Sequence, residues 1–355
     1  MTLFLHIGST KTATTSIQRF LTANRGLLLE NGYIFPSYIG GNNHKKLVVY
    51  ANDDDYYTVD FRYNVRTPDD RQRFRQEFSA LFRANLAGVK EHVILSSEHC
   101  SALLRTVDDI NRLKDLIASV CQDIKVIFYA RQQAEFMASL YSTHIVTGDT
   151  IELIYPPEDR IQNAMNYYEI LMRWEQVFGR ENIVARIFDR DQMVGGDVIE
   201  DFCSILGIDD AVLAKATIPA RLNESLDFKT VEFLRLFNMY QPQIIDKKIN
   251  PARSNIAQIL QKLSNKPRIR IPKKMFDQLR KEMNEPNSLF RERYIDGVKE
   301  DPFKWNWEEN TGKRTIQNLT IEEAFRIFSR VWSAKLREIA SGNNRNRTDE
   351  EYDLD

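Results

Sequence analysis

Residues Phe4 to Ser16 hold the side chains best suited to chemistry. An apolar run, Phe4–Ile7, meets Gly8. A single cation, Lys11, follows, and then a cluster of hydroxyls, Thr12, Thr14, Thr15 and Ser16, at the head of a helical pattern. A strand that turns sharply into a helix aims the first N–H groups of that helix at one point. Lys11 adds a full positive charge there and the hydroxyls add donors. The ligand such a cradle fits is a phosphate or a group built like one. Ala13, in the middle of the cluster, is small enough for close backbone approach if its φ stays negative.

The spelling excludes two common phosphate loops. A nucleoside-triphosphate loop reads G-x-x-x-x-G-K-[ST], and here Lys11 stands three residues after Gly8 with no second glycine before it. The dinucleotide fingerprint G-x-G-x-x-G is also missing. A second anion-binding group lies downstream. Lys125–Ala130 is a short apolar run without Gly or Pro, which reads as a buried parallel strand. It delivers Arg131, whose planar fork matches phosphate oxygens, and Ser139 follows eight residues later.

Together these stretches resemble the sulfotransferases that use 3′-phosphoadenosine 5′-phosphosulfate (PAPS). His6–Ser16 is similar to their 5′-phosphosulfate loop, usually written P-K-[ST]-G-[ST]-[ST]. Thr10 replaces the common Pro and Ala13 the common Gly. Arg131 and Ser139 match the spacing of the family's 3′-phosphate site. Asn182–Gly207 is similar to its late strand, acidic turn and helix, and Tyr167–Gly179 to the helix before that strand. Two further segments, Arg221–Leu226 and Asn287–Tyr294, resemble bacterial members acting on carbohydrate or lipid-linked acceptors. The likeness covers most of the first 240 residues. It implies PAPS as co-substrate, no metal, and a cofactor site made of Lys11, Thr12, Ala13, Thr14, Thr15, Ser16, Arg131 and Ser139. The acceptor it implies is a glycan, a glycolipid or another hydroxyl compound.

Sulfuryl transfer to a hydroxyl needs in-line placement, relief of charge on the leaving group, and a base. The strand Val93–Ser97 delivers Glu98 and His99 to the sheet edge, where the family commonly keeps its base. His44, in the loop after the second strand, is a further candidate. Glu98 comes first because it directly follows the strand. Trp305, Trp307 and the Tyr56 and Tyr57 pair could stack on a sugar. The alternatives are a nucleotide kinase-like transferase, or a nucleotide-binding protein of the same fold without chemistry.

The elements that must position these residues follow from the pattern. Strands are expected at Leu3–Ile7, Tyr33–Phe35, His92–Ser97, Lys125–Ala130 and the Asn182 segment. Helices are expected from Thr14 to Glu30, Arg71 to Ala87, Val107 to Cys121, after Arg131 to Ile145, and Thr320 to Ile339. Gly148–Arg160 reads as loop. Alternation of this kind predicts an α/β fold with a parallel sheet flanked by helices and a helical C-terminal extension, and the resemblance implies the P-loop NTPase-like form of the sulfotransferases. One domain is expected over 1–340, with the nucleotide-binding core in 1–215, the helical part in 216–340 and a disordered tail in 341–355.

Composition sets the outer limits. Of 355 residues, 43% are hydrophobic and 28% charged, so the chain can bury a sizeable core. A net charge of −1 argues against general binding to nucleic acid or anionic membranes. Three scattered cysteines and five histidines show no metal-ligand spacing. Reduced thiols and the lack of a secretory or membrane-spanning run predict a cytoplasmic protein without stable membrane insertion.

Overall fold

The computed structural model describes residues 1–53, 63–219, 226–245, 248–251, 253, 255–264, 269–307 and 319–340. Tyr56, Tyr57, residues 221–225 of the Arg221–Leu226 segment, and the tail 341–355 lie outside the described residues. Contacts divide the chain into two compact units. The first comprises Met1–Gln132, Pro156–Ala220 and Lys281–Lys304, and the second Gln133–Tyr155, Arg221–Arg280 and Trp305–Asp355.

The first unit is built on a parallel sheet. Its strands are β1 (Leu3–His6), β2 (Tyr33–Ile34), β3 (His92–Ser96), β4 (Ile124–Ala130) and β5 (Ile183–Ile187), in the order β2-β3-β1-β4-β5. In register, Leu3 lies between Val93 and Ile124, and His6 between Ser96 and Ile127. The central strands are apolar on both faces because helices cover both. Phe4, Ile94, Ile127 and Tyr129 pack against Ile17, Phe20 and Leu21 of the helix Thr14–Ala23 and against Phe202 of the helix Val198–Leu206. On the other face, Phe128 meets Tyr167 of the helix Tyr167–Phe178, with ring centroids 5.6 Å apart.

Beyond Ile218 the chain is mainly helical, with Phe228–Tyr240, Ile256–Leu263, Lys273–Tyr294 and Ile321–Ala340. It also carries a small antiparallel hairpin, Ile244–Ile245 with Lys248–Ile249, that the sequence pattern does not show. Asn287, Phe290 and Tyr294 are buried, and Phe290 packs on Tyr167. That segment is framework here. Trp305 meets Phe276 edge-on, and the Trp307 ring N–H donates to the Ile271 carbonyl at 3.4 Å. Both tryptophans therefore anchor their own unit. Among the described residues, no helix is long and apolar enough to cross a membrane.

The helix expected to run from Thr14 to Glu30 is broken. It ends at Ala23, and a second helix runs from Arg25 to Glu30. Asn24 causes the break. Its side chain donates to the Thr217 carbonyl at 2.9 Å and accepts from the Thr217 N–H at 2.7 Å. The helix expected from Arg71 starts earlier, at Pro68, capped by Thr67, whose hydroxyl accepts from the Asp70 N–H. Within the stretch expected as loop, Glu158 opens a helix running to Ala164.

One buried polar cluster joins sheet and helix. Asp201, 1% exposed, accepts the Tyr129 hydroxyl at 2.7 Å and the Val194 N–H at 3.0 Å. Burial and the neighbouring Asp201 carboxylate raise the Tyr129 pKa, so the phenol stays a donor. Asp201→Ala leaves both donors unpaired. Urea unfolding is expected to show a loss of about 1–3 kcal/mol or more, and an unchanged midpoint would contradict this account.

Candidate functional site

The site grows from the end of β1. The ladder to β4 continues past the strand, because the Ile7 and Ser9 N–H groups donate to the Ile127 and Tyr129 carbonyls at 3.0 Å each. The Tyr129 N–H returns a bond to the Gly8 carbonyl at 2.7 Å. Gly8 has φ +99°, and a Cβ there would sit 3.0 Å from the Cα and Cβ of Glu98. Only glycine fits this contact without displacing backbone. The turn is tied down further by its own hydroxyls. Thr12, fully buried, donates to the Ser9 carbonyl at 2.6 Å, and Ser9 donates to the Tyr129 carbonyl at 2.9 Å.

Lys11 and Ala13 both have positive φ, +64° and +58°. The condition of a negative φ at Ala13 is thus not met. The residue before the helix is left-handed, the conformation a glycine would take without strain. A left-handed residue followed by helical ones turns successive N–H groups toward one concavity, which suits an anion. Ala13 has no side chain that could cap the helix. Thr14 is buried, whereas Thr15 and Ser16 are half-exposed.

In the sheet order β2-β3-β1-β4-β5, the chain leaves β1 toward one edge and leaves β4 toward the other. Such a reversal opens a crevice at the carboxyl ends of the two strands. The Lys11 turn occupies one side of it, and Arg131, directly after β4, the other. The Arg131 guanidinium donates to the Lys11 carbonyl at 2.8 Å, and its own carbonyl accepts the Tyr167 hydroxyl at 2.6 Å. Arg131 therefore holds the turn as well as supplying charge. Ser139 lies on the helix Gln133–Val146, which belongs to the second unit, and its carbonyl accepts the Thr143 hydroxyl at 3.2 Å.

Glu98 lies beneath the turn, 3% exposed, as the residue preceding the short helix His99–Leu103. Burial pushes its carboxyl above the ordinary carboxylate value. Its own backbone N–H, the Gln18 amide at 2.7 Å and the charges of Lys45 and Lys11 oppose that shift. Gln18 and Lys45 did not stand out in the sequence. Gln18 was detectable as a polar residue on the buried face of the first helix, beside Ile17 and Leu21. Lys45, 3% exposed, carries no comparable sequence signal.

The histidines divide. His44 is fully buried, with one ring nitrogen 2.8 Å from the Pro36 carbonyl and the other accepting the Ser96 N–H at 3.1 Å. Burial, helped by Arg25, holds its pKa down to about 3. Both nitrogens are committed to backbone, so His44 braces β3 against the loop after β2. His6 is also buried and held at about 3, with Nδ1 2.9 Å from the Ser96 hydroxyl and Nε2 unpartnered. His99 is half-buried at the start of its helix. Cys100, next to Glu98, is fully buried and its thiol is pushed well up by burial and by the Glu98 carboxylate. Among the described residues, no group of three or more His, Cys, Asp or Glu side chains is placed to hold a metal ion.

No family model matches this chain. An uncharacterized protein of Archaeoglobus fulgidus is 29% identical over 119 residues, which span 32% of this chain and 30% of that relative's length. Among solved structures, the sulfotransferase from Alicyclobacillus acidocaldarius aligns over 82% of this chain and 95% of its own, with a TM-score of 0.41 and 14% identity.

The Glu98 environment yields a test that needs no substrate. Its folded pKa is raised, so the fold prefers the neutral carboxyl. Below about pH 4.3 the group is protonated in both folded and unfolded states and costs nothing. As pH rises through the raised value, the fold comes to carry a buried charge and loses stability. Glu98→Gln removes that burden and can keep the Gln18 bond. Its thermal midpoint is expected to exceed the wild type at about pH 8, and the gain to shrink toward zero near about pH 4. A pH-independent difference would show that the carboxyl is not buried in this way.

Proposed function

We propose that this chain is a sulfotransferase that moves the sulfuryl group of PAPS to an acceptor hydroxyl on a glycan or glycolipid. The observation that carries the reading is the Lys11 turn at the switch of strand direction, held by Arg131, with Glu98 packed against Gly8 and its carboxyl buried. These are an anion cradle, a second cation and a base of raised pKa grouped at one sheet edge. The donor set fits a doubly anionic phosphosulfate: one ammonium, uncapped helix N–H groups and the hydroxyls of Thr15 and Ser16. Bound PAPS would supply the activated sulfuryl group.

In this scheme Lys11 neutralises the charge that develops on the bridging oxygen as its bond to sulfur breaks. The N–H groups of Ala13, Thr14 and Thr15 and the hydroxyl of Ser16 hold the 5′-phosphate end. Arg131 holds the 3′-phosphate, and the resemblance assigns Ser139 to the same group on sequence spacing alone. Glu98 accepts the proton of the acceptor hydroxyl as that oxygen bonds to sulfur, and a carboxylate whose pKa lies above the ordinary range is the better base. His99 is the second candidate for this step. His44 is assigned to the scaffold, since a base must have a nitrogen to offer. Thr12 is likewise assigned to the loop, where its hydroxyl is already used.

Lys11→Ala keeps the carbonyl that Arg131 grips. It is expected to lower transfer from labelled PAPS by roughly 100-fold or more, in line with the loss of one transition-state donor, with little change in thermal midpoint. Near-normal transfer would overturn the reading. Adenosine 3′,5′-bisphosphate at about 100 times its Kd is expected to stabilise the protein by about 2.7 kcal/mol, and ATP with Mg²⁺ to stabilise it far less. The reverse order would point to a kinase-like enzyme. Because Arg131 also holds the turn, Arg131→Ala is expected to weaken AMP as well as the bisphosphate. Ser139→Ala is expected to weaken the bisphosphate alone, by about 0.5–1.5 kcal/mol in a calorimetric titration.

A further inference from the structure

The helix Ile321–Ala340 of the second unit has two apolar faces. One is seated on its own unit. Val331 is buried there, Glu323 pairs with Lys229 at 2.5 Å, Arg330 donates to the Leu263 carbonyl, and Glu338 accepts from Asn255. The other face bears Ile321, Phe325, Phe328, Trp332, Leu336 and Ile339, all exposed, with Ile321 at 80%, Phe325 at 65% and Trp332 at 57%. Their spacing follows the helical turn, so they form one continuous stripe. A helix of this length runs about 30 Å. An apolar stripe that long is not a scatter of surface residues, and stripes of this kind mark contact surfaces.

The order of residues along the stripe says what covers it. It reads nearly the same from either end when measured from Arg330. Ile321 and Ile339 are equidistant from it, and so are Phe328 and Trp332, while Phe325 and Leu336 differ by one residue. Laid antiparallel on itself about a two-fold axis at this point, the helix sets Ile321 on Ile339, Phe325 on Leu336, and the Phe328 and Trp332 rings on each other. An isologous interface needs this self-complementarity. Charge agrees. Around the axis Ile327, Ser329, Val331, Ser333 and Ala334 are uncharged and Arg330 is turned to the Leu263 carbonyl, so no like charges meet there. The helix carries four cations, Arg326, Arg330, Lys335 and Arg337, against three anions, Glu322, Glu323 and Glu338. That near-balance is unlike the strongly basic polar face of a membrane-surface helix.

We propose that the stripe is the interface of a two-fold dimer, formed by antiparallel pairing of Ile321–Ala340 with the same helix of a second copy. Interfaces of stable pairs bury on the order of 1,000 Å² in total, so the whole stripe must engage.

Sedimentation of the full chain tests this. The wild type is expected to run as a dimer at micromolar concentration. Phe328→Glu combined with Trp332→Glu, which puts like charges at the axis, is expected to weaken association by at least about 100-fold with an unchanged thermal midpoint. Ser329→Cys, close to the axis, is expected to cross-link to its own copy under mild oxidation, whereas Ile321→Cys is not. The native cysteines are buried and leave that readout clean. A monomeric wild type overturns the proposal, as does a dimer indifferent to the double substitution. Cross-linking of Ile321→Cys would mean a parallel pair and overturn it too. Capture of the monomer by phosphatidylserine vesicles would assign the stripe to a membrane instead. Should the double variant fail to fold, the two cysteine variants decide.

Discussion

The site depends on a hydrogen-bond ladder that does not stop where its strand stops. The Ile7 and Ser9 N–H groups and the Gly8 carbonyl bond to β4 beyond His6, the last residue of β1. A polar turn is thereby held with the rigidity of a sheet. Lys11 and the start of the first helix are carried along with it. The Gly8 contact with Glu98 then fixes the distance between the turn and the end of β3. The cradle is thus positioned by backbone bonds, by the Thr12 and Ser9 hydroxyls and by one absent methyl group.

The electrostatics follow from the same packing. Glu98 is buried because the turn lies over it, and burial raises its pKa. Its own backbone N–H, the Gln18 amide and the charges of Lys45 and Lys11 oppose that shift. Arg131 links the two sides of the crevice by gripping a carbonyl, an interaction that gives its positive charge a fixed place. Ser96 joins the neighbouring elements, since its N–H donates to His44 and its hydroxyl meets His6 and the Gln18 amide. Ser96 and Glu98, buried under the turn, thus take partners from neighbouring elements, which spares a low-dielectric site the cost of leaving those groups unpaired.

Much of this frame could be read from the chain. The β1 run, the Lys11 loop and the strand ending at Arg131 declare themselves through short apolar segments that meet charge abruptly. The alternation of strands and helices gave the parallel sheet. Contacts distant in sequence could not be read. Asn24 looks like an ordinary helical residue until Thr217 binds it, so the break in the first helix has no local signal. His44 stood as a further candidate behind Glu98 because a sequence lists side chains and not where their nitrogens point. The positive φ at Ala13 belongs to the turn as a whole, and the hairpin at Ile244–Ile249 is too short to show a period. Thr12 illustrates the same limit, a hydroxyl in the right cluster that points into the loop.

The burial of Cys100 has a consequence of a different kind. Its sulfur lies beside Glu98 under the turn, inert because the thiolate is disfavoured and the atom is covered. Thiol modification there must wait for the structure to open locally, so its rate is a clock for that opening. The protein therefore carries an internal stopwatch at its own site. A ligand that clamps the turn would slow it, and one bound elsewhere would leave it running at its own pace.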